Sequence, residues 1–214
     1  AATTHDGRVM ATWSQKTSEG FRIVARVFDK GVWSTSLKVS DGKSDAYRST
    51  VVTDERGTAS VFWDAYEDGI YVIKSRSLLP KPGPVQQVSP AGRHCLKPTA
   101  IANSDGLCVA WLSKQDVIGG PGVISQWHIL QAAVRVGGAW QLVTDSDGDP
   151  TAAELTHGLM GQIEPRVVAT GGYLGQRTQP MLLRNGDDIW LMWERKSNHK
   201  GSTPNVVGEL VGRR

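Results

Sequence analysis

Four tryptophans recur along this chain in the same local pattern, at a nearly constant interval that breaks once, and that recurrence constrains its fold more than any other feature. Trp13, Trp63 and Trp111 are spaced by 50 and 48 residues, and Trp193 follows after 82. Each closes a run that opens on a glycine, at Gly7, Gly57, Gly106 and Gly186. A short apolar run precedes each glycine: residues 1–3, 51–53, 100–102 and 181–183. The residues between, such as Asp54-Glu55-Arg56 and Asn103-Ser104-Asp105, are turn formers. Asp-Gly and Asn-Gly pairs between apolar runs are strong hairpin signals.

A third run follows each tryptophan, at 21–28, 71–78, 128–135 and 205–211. Alternation of Arg with apolar residues there marks half-exposed strands. A fourth, shorter run opens on Gly31, Gly83 and Gly138 and includes Trp33, Val85 and Trp140. Four short strands every ~40–50 residues predict an all-β chain built of β-propeller blades. The blades are expected at about 1–46, 47–94, 95–144 and 179–214, with an insertion at 145–178. The first strand opens at Ala1 and the fourth blade stops at Arg214 after its third strand. The expectation is a segment of a larger propeller, completed by the remainder of the ring or by another chain. The repeated tryptophans read as core between neighbouring sheets, where large rings supply apolar area.

Composition narrows the function classes. Against 24 Lys+Arg stand 21 Asp+Glu, a net charge of only +3 with no basic stripe, which argues against nucleic-acid binding. No apolar run approaches the ~18 residues of a membrane-spanning helix. The five histidines show no zinc-ligand spacing. Cys95 and Cys108 flank the turn at 103–105 such that Cys108 pairs near Ile101, which puts Cys95 ~20 Å away. A disulfide needs Cα atoms within ~7 Å, so both thiols are expected free.

Positions flanking the innermost strands differ from blade to blade, as a ligand site on a propeller channel requires. Arg48 precedes Ser49 where Lys97 precedes Pro98 and Gln179 precedes Pro180; Ser14, Asp64, Leu112 and Glu194 follow the repeat tryptophans. Glycoside hydrolysis needs two carboxylates, for which Asp64 and Glu194 are the nominees, with Glu164 of the insertion in reserve. A polysaccharide lyase would instead use a base and a charge neutraliser, drawn from His94, Tyr71, Arg48 and Lys97. Tyr66, Trp127 and Trp140 are candidates to stack on sugar rings. The insertion is expected to carry a short helix at 151–157, a strand at 166–170, the substrate-binding Arg166 and much of the specificity. Asp145, Asp147 and Asp149 alternate as oxygen ligands for calcium would, although Pro150 stands where a calcium loop has glycine. No cofactor is required, and calcium is the one metal the sequence suggests.

The blade pattern resembles bacterial sialidase-like, BNR-type propeller repeats, most clearly over Trp63-Asp64-Ala65-Tyr66-Glu67-Asp68-Gly69-Ile70-Tyr71-Val72-Ile73. No Ser-x-Asp-x-Gly-x-x-Trp box is present. The resemblance implies a secreted or periplasmic protein that binds or acts on polysaccharides. The leading expectation is carbohydrate binding at the channel face and the insertion. A hydrolase or lyase of sialidase-like fold is the alternative, so catalysis stays open. A protein-docking scaffold using Arg22, Arg26, Lys74, Arg76 and Arg135 on the third strands is the rival.

Overall fold

A computed structural model describes residues 1–4, 6–104, 106–118, 124–143, 180–186, 188–197 and 205–213; for 114–118, 124–130, 185, 188, 190–197 and 205–213 only the backbone is described. Every regular element among them is a β-strand, and the strands form four antiparallel sheets. The first contains β1 (Ala2–Thr3), β2 (Val9–Thr17), β3 (Gly20–Asp29), β4 (Val32–Trp33) and β5 (Leu37–Lys38). The second runs β6 (Asp45–Thr53), β7 (Ala59–Glu67), β8 (Ile70–Leu79) and β9 (Gln86–Gln87). The third runs β10 (His94–Asn103), β11 (Gly106–Ile118), β12 (Ile124–Val136) and β13 (Ala139–Leu142). The fourth runs β14 (Met181–Asn185), β15 (Asp188–Ser197) and β16 (Asn205–Arg213).

The register confirms the repeat. Trp13, Trp63, Trp111 and Trp193 sit on the second strand of their sheets, paired with Val24, Lys74, Gln131 and Glu209 of the third. Sequential strands are spatial neighbours within each sheet, and β6 packs against β10 as β10 packs against β14. Face-to-face stacking of such meanders, first strand against first strand, is the arrangement of β-propeller blades. The hairpin joining β6 to β7 shows how the turns work. Asp54 Oδ1 accepts from Arg56 N and Thr58 N (3.0 and 2.7 Å), while Gly57 N donates to Asp54 O at 3.0 Å. Gly57 adopts φ +78, open to glycine at little steric cost.

Two cores lie in the seams between sheets. Val61, Trp63 and Ala65 of β7 point toward the first sheet and join Met10, Ile23 and Ala25. Phe62 of β7 and Ile73 of β8 point the other way and join Val109 and Trp111 of β11. β7 is therefore buried through seven consecutive residues, since both of its faces are covered. Trp63 and Trp111 are 1% and 0% exposed, whereas Trp13 is 37% exposed. Cys95 and Cys108 are buried and free, with Cys108 paired to Ile101.

The fourth strand of the second sheet departs from expectation. Pairing occurs at Gln86–Gln87, against Ser75 and Lys74, and not at 83–85. Gly83 N donates to Ser77 O at 2.9 Å, and Pro84, lacking an N–H, cannot extend the ladder. The equivalent pairing in the first sheet is made by β5, which follows the separate two-residue β4. The basic third strands are engaged within the fold. Arg76 donates to the carbonyls of Gly83, Lys38 and Val39, tying the second sheet to the first. Lys74 is buried in an ion pair with Glu67. Arg22 donates to the carbonyls of Glu19, Phe21 and Ser44. The helix and strand expected at 151–157 and 166–170 lie outside the described residues.

Candidate functional site

At one end of the second sheet, the β7–β8 turn meets the first residues of β6 and, across the seam, of β10. Tyr66, near the end of β7, pairs in register with Tyr71 at the start of β8, and their rings lie 4.9 Å apart. Tyr71 also meets Tyr47 of β6 (6.1 Å) and His94 of β10 (6.2 Å), and Tyr47 meets Phe21 of β3 (5.1 Å). Three sheets thus contribute to one aromatic bed, with Tyr66 44% exposed at its edge. Asp45 braces it from the side: Tyr47 OH donates to Oδ2 at 3.2 Å and Phe21 N to Oδ1 at 2.8 Å. Burial, with the Asp45 charge beside it, pushes the Tyr47 hydroxyl pKa above its ordinary value.

Both β6 and β10 break register shortly after they start, between Tyr47 and Thr50 and between Leu96 and Thr99. The breaks place Arg48 at φ 43 and Lys97 at φ 55, a left-handed conformation that costs a side-chain-bearing residue about 1–2 kcal/mol. One carboxylate holds both. Asp64 of β7 is fully enclosed, and its Oδ2 accepts from Arg48 Nε at 2.6 Å and from Lys97 N at 3.0 Å. Its Oδ1 is buried without a protein partner. Burial pushes the Asp64 pKa up to about 6, while the Lys97 N–H and the Arg48 charge act in the opposite sense.

Held through Nε, the Arg48 guanidinium lies over the Tyr71 ring at 5.2 Å, with the side chain 42% exposed. Its two terminal nitrogens have no partner among the described residues, so a fork of N–H donors is fixed beside an aromatic surface. His94 Nδ1 accepts from Tyr71 N at 3.3 Å, which in the neutral ring leaves Nε2 as the donor. The arrangement offers stacking against rings and charge-assisted hydrogen bonds to an anion.

Of the residues singled out in the sequence, Arg48, Asp64, Tyr66, Tyr71, His94 and Lys97 come together here. Trp140 does not. It pairs with Arg135 at the opposite end of the third sheet, its ring against Phe62 (5.4 Å) and under the Arg135 guanidinium (5.9 Å). Trp127 and Glu194 are placed by backbone register alone, opposite Gln115 and Gly208. Glu164, Arg166, Asp145, Asp147 and Asp149 lie outside the described residues. Among the described residues no group of three or more His, Cys, Asp or Glu is placed to hold a metal ion. No helix among them is long and apolar enough to cross a membrane. Tyr47, Phe21 and Asp45 escaped the sequence reading. The signal for Tyr47 and Asp45 was their position immediately before Arg48 on an inner strand.

No protein-family model matches the chain, and no curated protein matches it. Solved structures similar in fold exist. One is a thermostable family-43 glycoside hydrolase, 10% identical, with a TM-score of 0.49 over 96% of this chain and 67% of that one. Another is an endo-arabinase from Bacteroides thetaiotaomicron, 12% identical, with a TM-score of 0.49 over 96% and 72%. A third is a glycosyl hydrolase from Bacteroides ovatus, 14% identical, with a TM-score of 0.49 over 97% and 62%.

Proposed function

We propose that this protein binds carbohydrate at the Tyr66–Tyr71 end of its second sheet, and that the preferred sugar carries a negative charge. The observation that carries the reading is the Arg48 guanidinium, fixed over Tyr71 by an enclosed aspartate, with both terminal nitrogens unengaged among the described residues. An aromatic face beside a fixed cation suits a uronate: the sugar's apolar face meets the ring and its carboxylate meets the fork. The enclosed Asp64 serves this reading as a positioning residue, since a carboxylate without solvent access does not reach a sugar. A secreted or periplasmic location belongs to the same reading.

The test is calorimetric titration with an oligouronate and with a neutral oligosaccharide of equal length, on the native chain and on Arg48→Gln. The expected result is uronate binding that weakens at least tenfold in the variant. Equal affinity for both sugars, unchanged in Arg48→Gln, overturns the charge preference; no binding of any sugar overturns the reading.

A second reading is elimination at a uronate, favoured by one contact: Tyr71 and His94 are neighbours beside the Arg48 cation. Such a reaction removes the proton next to the carboxylate and expels the glycosidic oxygen, leaving a carbon–carbon double bond. Arg48 would neutralise the carboxylate, and Tyr71 or His94 would handle the proton. The double bond absorbs in the ultraviolet, so a polyuronate incubated with the protein reports this activity directly.

A further inference from the structure

The wall that the second sheet turns toward the third differs in polarity from the wall that the first sheet turns toward the second at three neighbouring positions. In the first sheet, Met10 of β2 pairs with Val27 of β3, and Ala25 lies beside them; all three belong to the apolar packing against the second sheet. The corresponding positions of the second sheet are Ser60, which pairs with Ser77, and Ser75. Three apolar positions on one wall have become hydroxyls together, and a cavity of about 100 Å³ stands in the seam with the third sheet. The facing wall supplies Arg135 and Trp140, and Gln86 lies at the edge.

The polar groups on these walls are underused. Among the described residues Ser75, 4% exposed, finds no side-chain hydrogen bond, and Ser60 Oγ and Ser77 Oγ are 3.5 Å apart, the outer limit for one. Trp140 Nε1 is buried without a partner. A buried donor left unpaired costs about 1–3 kcal/mol, so Trp140 Nε1 calls for a partner. Among the described residues Arg135 spends only its Nε, on Gly138 O at 3.4 Å, and makes no ion pair. Among the described residues no Asp or Glu lines the cavity. Three serines, Trp140 and two arginines, Arg76 and Arg135, line one small space, and of the two arginines Arg76 is already spent on the carbonyls of Gly83, Lys38 and Val39.

We infer that the seam between the second and third sheets is a binding site for a small oxyanion of the phosphate or sulfate class. Arg135 supplies the charge, Trp140 Nε1 and the hydroxyls of Ser60, Ser75 and Ser77 supply donors, and the bound anion ties the two sheets together. The site is at the opposite end of the sheets from Tyr66 and Arg48 and stands independently of carbohydrate binding. The competing occupant is water, which a polar space of this size is large enough to hold.

Thermal unfolding in increasing inorganic phosphate, with chloride at matched ionic strength as the control and sulfate as a second arm, decides between them. The native chain should gain stability along a saturating curve in phosphate and sulfate but not in chloride. Arg135→Gln should weaken the half-saturating concentration at least tenfold, and Trp140→Phe, which removes the N–H and keeps a ring, several-fold. Rebuilding the wall on the pattern of the first sheet, with Ser60→Met, Ser75→Ala and Ser77→Val together, should abolish the response. If that triple variant does not fold, the two single variants decide alone. A response that never saturates, or that is equal in the native chain and Arg135→Gln, overturns the site and leaves water in the seam.

Discussion

Asp64 and Arg48 form an ion pair of unequal exposure, with the carboxylate fully enclosed and the guanidinium side chain 42% exposed. The same carboxylate oxygen takes the backbone N–H of Lys97 from the neighbouring sheet, so one atom fixes two left-handed bulges. A buried charge that is only partly paired is costly, and here the cost secures the orientation of the Arg48 cation on the aromatic bed.

The pH dependence of stability follows from that burial. The Asp64 pKa is about 6 in the folded chain against 3.8 for the free group, so the folded state holds the proton more tightly. Its contribution is fully present below about pH 4 and is lost as pH rises through 6, a change of about 3 kcal/mol. Urea unfolding of the native chain and of Asp64→Asn between pH 4 and 7 should show the native chain losing that amount relative to the variant.

Ligand affinity should move in the opposite sense. The ionised carboxylate is the form that grips Arg48 Nε, so uronate binding strengthens as pH rises through about 6. Asp64→Asn should flatten this profile and weaken binding at pH 7 about tenfold or more. Tyr66→Ala, which removes an exposed stacking face, should cost several-fold at every pH. Titration calorimetry at three pH values tests all of these together.

The repeat tryptophans should differ sharply in their worth. Trp63→Ala empties a filled seam and should destabilise by about 3–5 kcal/mol. Trp111→Phe keeps most of the ring but strands Gln131, whose Oε1 accepts from Trp111 Nε1 at 3.2 Å; the expected loss is about 1–3 kcal/mol. Trp13→Ala, at a site 37% exposed, should cost less than Trp63→Ala. Chemical unfolding of the three variants gives the ranking.

Gly20 is constrained twice over. At φ +115 it adopts a conformation closed to most side chains, and a Cβ there would run into the Asp45 carboxylate that orients Phe21 and Tyr47. Gly20→Ala should destabilise by more than about 2 kcal/mol and disturb the tyrosine bed. Gly7→Ala, with open space around it, should cost only about 1 kcal/mol. Comparing the two by unfolding and near-ultraviolet circular dichroism separates the contact from the backbone effect.

The thiols should be silent in the native state. Burial pushes the Cys108 pKa up to about 12 and raises that of Cys95. A thiolate-selective reagent should label neither at pH 8 and both after denaturation, and reductant should leave the melting temperature unchanged.

The blades were legible in the sequence because their causes are local. Gly57 closes a turn that Asp54 caps, and the alternation from Val61 to Ala65 sets which face each side chain takes, so period and register follow from neighbouring residues. For the same reason Arg48 and Lys97 could be picked out as equivalent inner-strand positions whose residue varies from blade to blade. What the sequence left open was decided between sheets. That Asp64 is enclosed and reaches Lys97, that Tyr47 and Phe21 complete the aromatic bed, and that Trp140 lies at the opposite end depend on which faces stack across a seam. Strand alternation assigns a side chain to a face. Only the packing of that face against the next sheet determines what the side chain meets, and so whether it binds, positions or fills.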